Sequence, residues 1–152
     1  MKNAITMNQI IKLAAIVLIT NILFIGFSKH EQPESQSLIP MMQQLLADMQ
    51  MVDKGIYMEQ YALVEKGAGD IANHPSMTQR DKQIIKKTLG KQMQQFVAFD
   101  MTVHHHADSI RIAAVQENMK KILRHYRIVQ QGCVNCHSNY RKKISEARKS
   151  SN

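Results

Sequence analysis

The last third of the chain carries its most regular apolar repeat. Apolar residues recur there in steps of three and four, at Met119, Ile122, Tyr126, Val129, Cys133, Cys136, Tyr140 and Ile144. This spacing matches the turn of an α-helix, so it predicts one amphipathic helix with a single buried face. Both cysteines of the chain fall on that face, so both thiols are predicted to point toward the core.

Three earlier apolar repeats have the same helical spacing. The first follows Ser37, a suitable N-cap, and comprises Leu38, Met42, Leu45, Met49, Val52 and Ile56. The second comprises Tyr57, Tyr61, Val64, Ala68 and Ile71. The third follows Thr78, another N-cap candidate, and comprises Ile85, Leu89, Met93, Phe96, Asp100, Val103, Ala107, Ile110 and Ala114. We expect the first turn at Asp53-Lys54-Gly55, and Gly90 weakens the third helix without ending it.

Strict alternation of apolar and polar residues, the pattern of a strand, is missing from the sequence. Four amphipathic helices with short links predict an all-α fold, an antiparallel up-down four-helix bundle over residues 38–148. About 110 residues are enough for one core of this kind.

The two cysteines belong to the sequence Cys133-Val134-Asn135-Cys136-His137, the C-x-x-C-H pattern of covalent c-type haem attachment. Two thiols three residues apart on a helix lie on one face and can add to the two vinyl groups of one haem edge. The following imidazole can bind the iron. The motif therefore predicts one covalently attached haem c, with Cys133 and Cys136 as attachment points and His137 as the proximal ligand.

Two other uses of C-x-x-C fit the sequence less well. Thioredoxin-like redox motifs accompany a βαβ pattern, which this chain lacks. A structural zinc site needs two further well-spaced Cys or His ligands, and His137 alone cannot complete a tetrahedron.

The first 28 residues resemble an export signal. Lys2 and Lys12 precede the almost wholly apolar run 13–27, and Gly26 and Ser28 favour cleavage before residue 29. The alternative is an uncleaved membrane anchor, because the run approaches the roughly 20 residues that span a bilayer. Both interpretations place the remainder outside the cytoplasm, in the periplasm. Residues 29–37 are polar and predict a flexible leader, and residues 149–152 form a short basic tail.

The chain is basic, with 20 Lys and Arg against 12 Asp and Glu and a net charge of +8. Export and an aromatic content of only 5% argue against a nucleic-acid partner, which would need stacking platforms. A basic rim beside a redox cofactor would steer an acidic protein partner or contact an anionic membrane. The simpler interpretation is that these cations complement a helix dipole.

With these residues in place, the chain resembles the class II c-type cytochromes, which comprise cytochrome c prime and its low-spin, six-coordinate relatives. The similarity lies in Cys133-x-x-Cys136-His137-x-x-Tyr140-Arg141, in a Met-rich first helix and in the pattern of the third helix. The resemblance implies a four-helix bundle with haem near the C-terminus, Arg141 beside a propionate, Tyr140 packed on the haem, and pairing as a homodimer through the first two helices.

In that family the sixth iron position is either open or filled by a methionine of the first helix. Met41, Met42, Met49 and Met51 lie on this helix, but only Met42 and Met49 belong to its apolar repeat. The start of the first helix of an up-down bundle lies beside the end of the fourth, and Met49 is about 10 Å further along the axis. Met42 is therefore the predicted distal ligand, and Met41 is the neighbour that a small error in register would favour instead. Since the chain has 11 Met, core filling is the competing interpretation.

The run His104-His105-His106 suggests a metal site, but adjacent helical residues point about 100° apart and cannot converge on one ion. His104 lies four residues after Asp100, so a hydrogen bond between them is the simplest explanation.

The sequence thus predicts a mono-haem cytochrome that carries single electrons between periplasmic redox proteins. We do not expect an enzyme, because no substrate-processing set of residues is visible. The alternative is a five-coordinate haem protein that binds nitric oxide or carbon monoxide. A third hypothesis is a Met- and His-rich copper carrier.

Overall fold

The four apolar repeats correspond to four helical segments in the computed structural model, which describes residues 35–151. The first two segments are α1 (Leu38–Tyr57) and α2 (Tyr61–Ala72). The third consists of α3 (Gln79–Leu89), a 3-10 turn (Gly90–Gln92) and α4 (Met93–Val115). The fourth consists of α5 (Met119–Cys136), a π-helical turn (His137–Arg141) and α6 (Lys142–Lys149). The predicted all-helical class is confirmed, and residues 35–151 contain no strand.

The predicted signal or anchor, residues 1–28, lies outside the described residues, as does most of the predicted leader. The last part of that leader is fixed, because the backbone of Gln36 donates to the Ser76 carbonyl at 2.9 Å and accepts from the Thr78 amide at 3.1 Å. Within the described part of the chain, none of the helices combines the length and the apolar character that crossing a membrane requires.

Two of the predicted N-caps differ in what they do. The Thr78 hydroxyl accepts from the Asp81 amide at 3.3 Å, which confirms it as the cap of α3. Ser37 precedes α1 as predicted, but its side chain makes no capping hydrogen bond. Asp81 supplies the acceptor instead, since its Oδ2 lies 2.8 Å from the Leu38 amide nitrogen. A carboxylate of α3 therefore stabilises the start of α1.

The sequence assigned the wrong roles to two glycines. Gly55 does not form a turn, because α1 continues to Tyr57 and a Cβ on Gly55 would lie 2.7 Å from Val64 Cγ2. It lets α2 approach closely. Gly90, by contrast, does end its helix: its φ of +49° is a left-handed conformation, and a 3-10 turn follows it. Such a φ suits glycine because it has no Cβ.

The helices enclose two groups of buried side chains. In the close helix pairs α1 packs on α2, α2 on α4, α4 on α5, and α3 on α6. The first group, which we call the main core, comprises Val52, Val64, Ala68, Ile71, Ala107, Ile110, Ala113, Ala114, Ile122, Tyr126 and Val129. The second group, the C-terminal core, comprises Ile85, Leu89, Tyr140 and Ile144. The buried positions of the fourth repeat are therefore divided between two cores.

The buried face of α1 is rotated relative to the predicted one. Its fully buried residues are Met41, Asp48, Val52 and Gly55, whereas Leu45 and Met49 are half-buried. Met42 is 38% exposed and Met41 only 1%. The expectation that Met42 lies within the buried face is therefore wrong. Of this face, Gly55 lies against Val64 of α2, and Asp48 and Val52 lie against Gly67.

Candidate functional site

The C-x-x-C-H motif lies where α5 passes into the π-helical turn. Cys133 packs against the main core and Cys136, one turn later, packs against the C-terminal core. Both cysteines are half-buried and carry free thiols. Burial of both thiols on the core side of α5 is as predicted. The motif thus spans the boundary between the two cores.

The surroundings of the thiols keep them protonated at neutral pH. Burial raises the pKa of Cys133. Burial, and then the negative charge of Asp100, raises the pKa of Cys136 to about 11. A nucleophilic cysteine of thiol–disulfide exchange needs a lowered pKa, so this environment argues against that chemistry.

His137 begins the π-helical turn and is largely accessible, so its ring is available to a ligand. Partial desolvation of the ring, together with the positive charge of Arg141, lowers its pKa. The imidazole is therefore mostly neutral at neutral pH, which is the form that binds a metal. Single π-helical turns occur frequently at functional sites. The extra residue in this turn changes the direction of side chains after Cys136.

Aromatic side chains gather beside the motif. Tyr140 is buried in the C-terminal core, and its hydroxyl donates to Gln95 Oε1 at 3.0 Å. Its ring lies 5.8 Å from that of Phe96, nearly edge-on, and 6.3 Å from that of Phe99. Arg141 is exposed. Tyr140 and Arg141 were identified from the sequence, but Gln95 was not. Gln95 accepts the Tyr140 hydrogen bond only because α4 lies close to the π-helical turn in space.

Two contacts locate the two ends of α1. Leu38, at the start of α1, packs against the C-terminal core, which contains Tyr140 and Ile144. Near the other end of α1, Asp53 accepts a short hydrogen bond from the Tyr126 hydroxyl. Met41 and Met42 lie one turn from Leu38. The methionines of early α1 are therefore at the end of the molecule that contains Tyr140.

The three consecutive histidines face three different surroundings, as predicted. The Nδ1 of His106 lies 2.8 Å from His125 Nδ1, and His105 is exposed. His104 Nε2 lies 3.7 Å from Asp100 Oδ2, which is an ion-pair separation rather than the predicted hydrogen bond. Its Nδ1 is instead 2.7 Å from the Ala72 carbonyl oxygen. His74, which lies in the connection between α2 and α3, stacks on His104 with ring centroids 4.5 Å apart.

Comparison of the chain with protein-family models, with curated proteins and with solved structures found no match.

Proposed function

We propose that the chain is a mono-haem c-type cytochrome that carries single electrons between periplasmic redox proteins. One observation carries the proposal: two half-buried, protonated thiols lie one helical turn apart at the boundary of two cores, directly before an accessible imidazole. Such a pair is suited to thioether formation rather than to disulfide exchange or metal binding as thiolate.

The residues around the motif fit a haem. Cys133 and Cys136 would attach it and His137 would bind its iron, while Phe96, Phe99 and Tyr140 offer an apolar, aromatic surface beside them. The bound group would supply one-electron redox chemistry. The protein's part is to hold the group rigidly and to keep water from it. Arg141, which is exposed four residues after His137, is suited to a propionate.

An up-down arrangement of the four segments is part of the proposal. It is supported by the Asp81 carboxylate, which holds both the Leu38 amide and Arg148, and by the hydrogen bond from Tyr126 to Asp53. These pair the start of α1 with the end of the chain, and the end of α1 with the start of α5. A methionine near Leu38 is then the candidate for the distal iron position. We retain Met42, and its buried neighbour Met41 is the competing candidate.

Attachment is tested by producing the full chain in a bacterial host that matures c-type cytochromes. We expect haem that remains on the polypeptide after denaturation, visible by its peroxidase activity in a denaturing gel. The variant Cys133→Ala/Cys136→Ala should lose it entirely. Val134→Ala is the matched control, because Val134 lies between the cysteines but is 57% exposed, and it should keep the haem. Wild-type protein without covalent haem in this host would refute the proposal.

The distal position is tested by the ferric absorption spectrum. Electron transfer predicts a low-spin spectrum with a far-red methionine-to-iron band, lost in Met42→Ala and retained in Met41→Ala. Loss of the band only in Met41→Ala would assign the ligand to the buried neighbour. A high-spin spectrum that changes readily with nitric oxide or carbon monoxide would instead support a five-coordinate gas-binding protein.

A further inference from the structure

A second group of ligand-type side chains lies on α4 and the connection before α3, and one member, Asp100, is close enough to Cys136 to raise the pKa of that thiol. His74 belongs to the connection between α2 and α3, whereas Asp100 and His104 lie one turn apart on α4. Each offers one ligand atom, and the three atoms lie within 4.8 Å of one another. The fold therefore brings together a His, Asp, His set that is spread over 31 positions of the sequence.

The hydrogen bonds of both imidazoles leave one nitrogen ready for a metal. His104 Nδ1 lies 2.7 Å from the Ala72 carbonyl oxygen, and His74 Nδ1 lies 2.9 Å from the Pro75 carbonyl oxygen. A carbonyl only accepts, so in each neutral ring Nδ1 carries the proton and Nε2 keeps its lone pair. A backbone carbonyl on the second ring nitrogen is the usual outer partner of a metal-binding histidine.

The separation of one donor pair is near that of two ligands on a shared cation. His104 Nε2 and Asp100 Oδ2 are 3.7 Å apart, too far for a hydrogen bond. Two donors bound tetrahedrally to one zinc ion at about 2.1 Å lie about 3.4 Å apart. A small movement of the half-exposed Asp100 side chain would therefore bring it to a ligand position.

Solvent reaches this group. Of the three residues, only His104 also borders a shallow surface depression, beside Ala72 and Met101. The Asp100 side chain is 47% exposed, so an ion can approach it from solvent, and water can occupy the positions that three protein ligands leave open. The mixture of imidazole nitrogen and carboxylate oxygen favours Zn²⁺ and similar divalent transition metals over Mg²⁺ or Ca²⁺, which prefer oxygen alone.

We propose that His74, Asp100 and His104 form a binding site for a divalent transition metal ion of the zinc class. The site does not depend on haem attachment. His74 lies in the connection between α2 and α3, whereas Asp100 and His104 lie on α4. A bound ion would therefore also hold that connection against α4.

The experiment is equilibrium dialysis of the full chain against Zn²⁺ at neutral pH. Both thiols must be covered, by haem where it is attached and otherwise by alkylation with iodoacetamide. We expect one Zn²⁺ per chain, with affinity reduced roughly 10-fold or more in His74→Ala and in His104→Ala. Zn²⁺ should also raise the unfolding temperature of the wild type but not of these variants, because it binds the folded state. Ca²⁺ should neither bind in the dialysis nor raise the unfolding temperature.

Two matched controls locate the ion. His105→Ala removes an exposed imidazole adjacent to His104, and His125→Ala removes a partner of the other histidine pair. Both should bind Zn²⁺ like the wild type. Asp100→Asn and His74→Gln serve as milder changes if an alanine variant fails to fold by circular dichroism. Wild-type protein that binds no Zn²⁺, or a His74→Ala/His104→Ala variant that binds it unchanged, would overturn the proposal.

Discussion

Asp48 is a carboxylate buried in the face of α1 that meets α2, with a relative exposure of 1%. Gln44 Nε2 donates to its Oδ1 at 2.8 Å. Burial raises its pKa above the ordinary value of 3.8; the charge of Asp70 acts in the same direction, whereas the Gln44 hydrogen bond, Lys66 and His74 oppose it. The folded state therefore holds the Asp48 proton more tightly than the unfolded state does. Its contribution to stability is fully present below pH 3.8 and is lost as the pH rises through the folded-state pKa.

Replacing Asp48 by Asn tests how much the buried negative charge destabilises the folded state at neutral pH. The amide oxygen can still accept from Gln44, but no charge is buried, so at neutral pH we expect the free energy of unfolding to rise by about 1 kcal/mol. The gain should disappear well below pH 3.8, where the wild-type carboxyl is protonated in both states. Urea unfolding at the two pH values measures it.

Asp108→Asn is the control for this prediction, because Asp108 is about half exposed and ion-paired with Arg111. Its effect should stay below about 1 kcal/mol. A gain from Asp48→Asn that is equally large at low pH would show that the buried charge is not its cause.

At the scale of elements, the crossing of α1 and α2 depends on two glycines. A Cβ on Gly67 would lie 2.8 Å from the Asp48 carbonyl oxygen and 2.9 Å from Val52 Cγ2. A Cβ on Gly55 would meet Val64 just as closely. Backbone atoms cannot move aside as a flexible side chain can, so the two helices pack with almost no space between them.

Gly67→Ala and Gly69→Ala form a matched pair on α2. Alanine favours a helix interior over glycine by about 1 kcal/mol. At Gly67 the clash should cost about 1–3 kcal/mol and so outweigh that gain. At Gly69 the new methyl would meet only the flexible Arg111 side chain, at 3.2 Å, so the variant should be as stable as the wild type or more stable. Thermal unfolding of both variants measures the difference in stability. An equal loss of stability at the two positions would contradict the close crossing of α1 and α2.

Helix spacing made the elements predictable, but glycine was ambiguous. The repeats predicted four helical segments and the buried face of the fourth, because apolar periodicity is a local property. Gly55 was interpreted as a turn and Gly90 as a helical residue, and the structure reverses both roles. A sequence does not show whether a glycine is needed for its φ or for the close approach of a neighbour.

The residues of the candidate site also divide into those that local spacing predicts and those that depend on contacts between helices. Cys133, Cys136 and His137 were identified because their relation is one of adjacent positions. The burial of Met41 rather than Met42 was missed because the buried face of α1 depends on its contacts with other helices. The set formed with His74 was missed because His74 lies in a connection, and no periodicity relates it to α4.

At the scale of the whole molecule, the division into two cores predicts that the proposed haem would stabilise them unequally. Cys133 and Cys136 pack against different cores. An attached haem would therefore join them, whereas the C-terminal core alone has only four fully buried members.

Haem loss should accordingly loosen one part of the protein more than the other. In Cys133→Ala/Cys136→Ala we expect faster amide hydrogen exchange around Ile85, Leu89 and Ile144, with protection largely kept around Val64 and Ile110. Exchange that rises to the same extent in both cores would show that the haem does not bridge them.

Asp81 has a consequence for how the chain is connected. It accepts from the Leu38 amide at 2.8 Å and forms an ion pair with Arg148, so one buried side chain holds both the first and the last helix of the described residues. The first and last helices of the described residues are therefore neighbours, and a short linker could join them. New ends could then be opened at residues 58–60 between α1 and α2. The helices could therefore be synthesised in a different order and still pack in the same way. Asp81 would still hold the first helix of the natural order to the last.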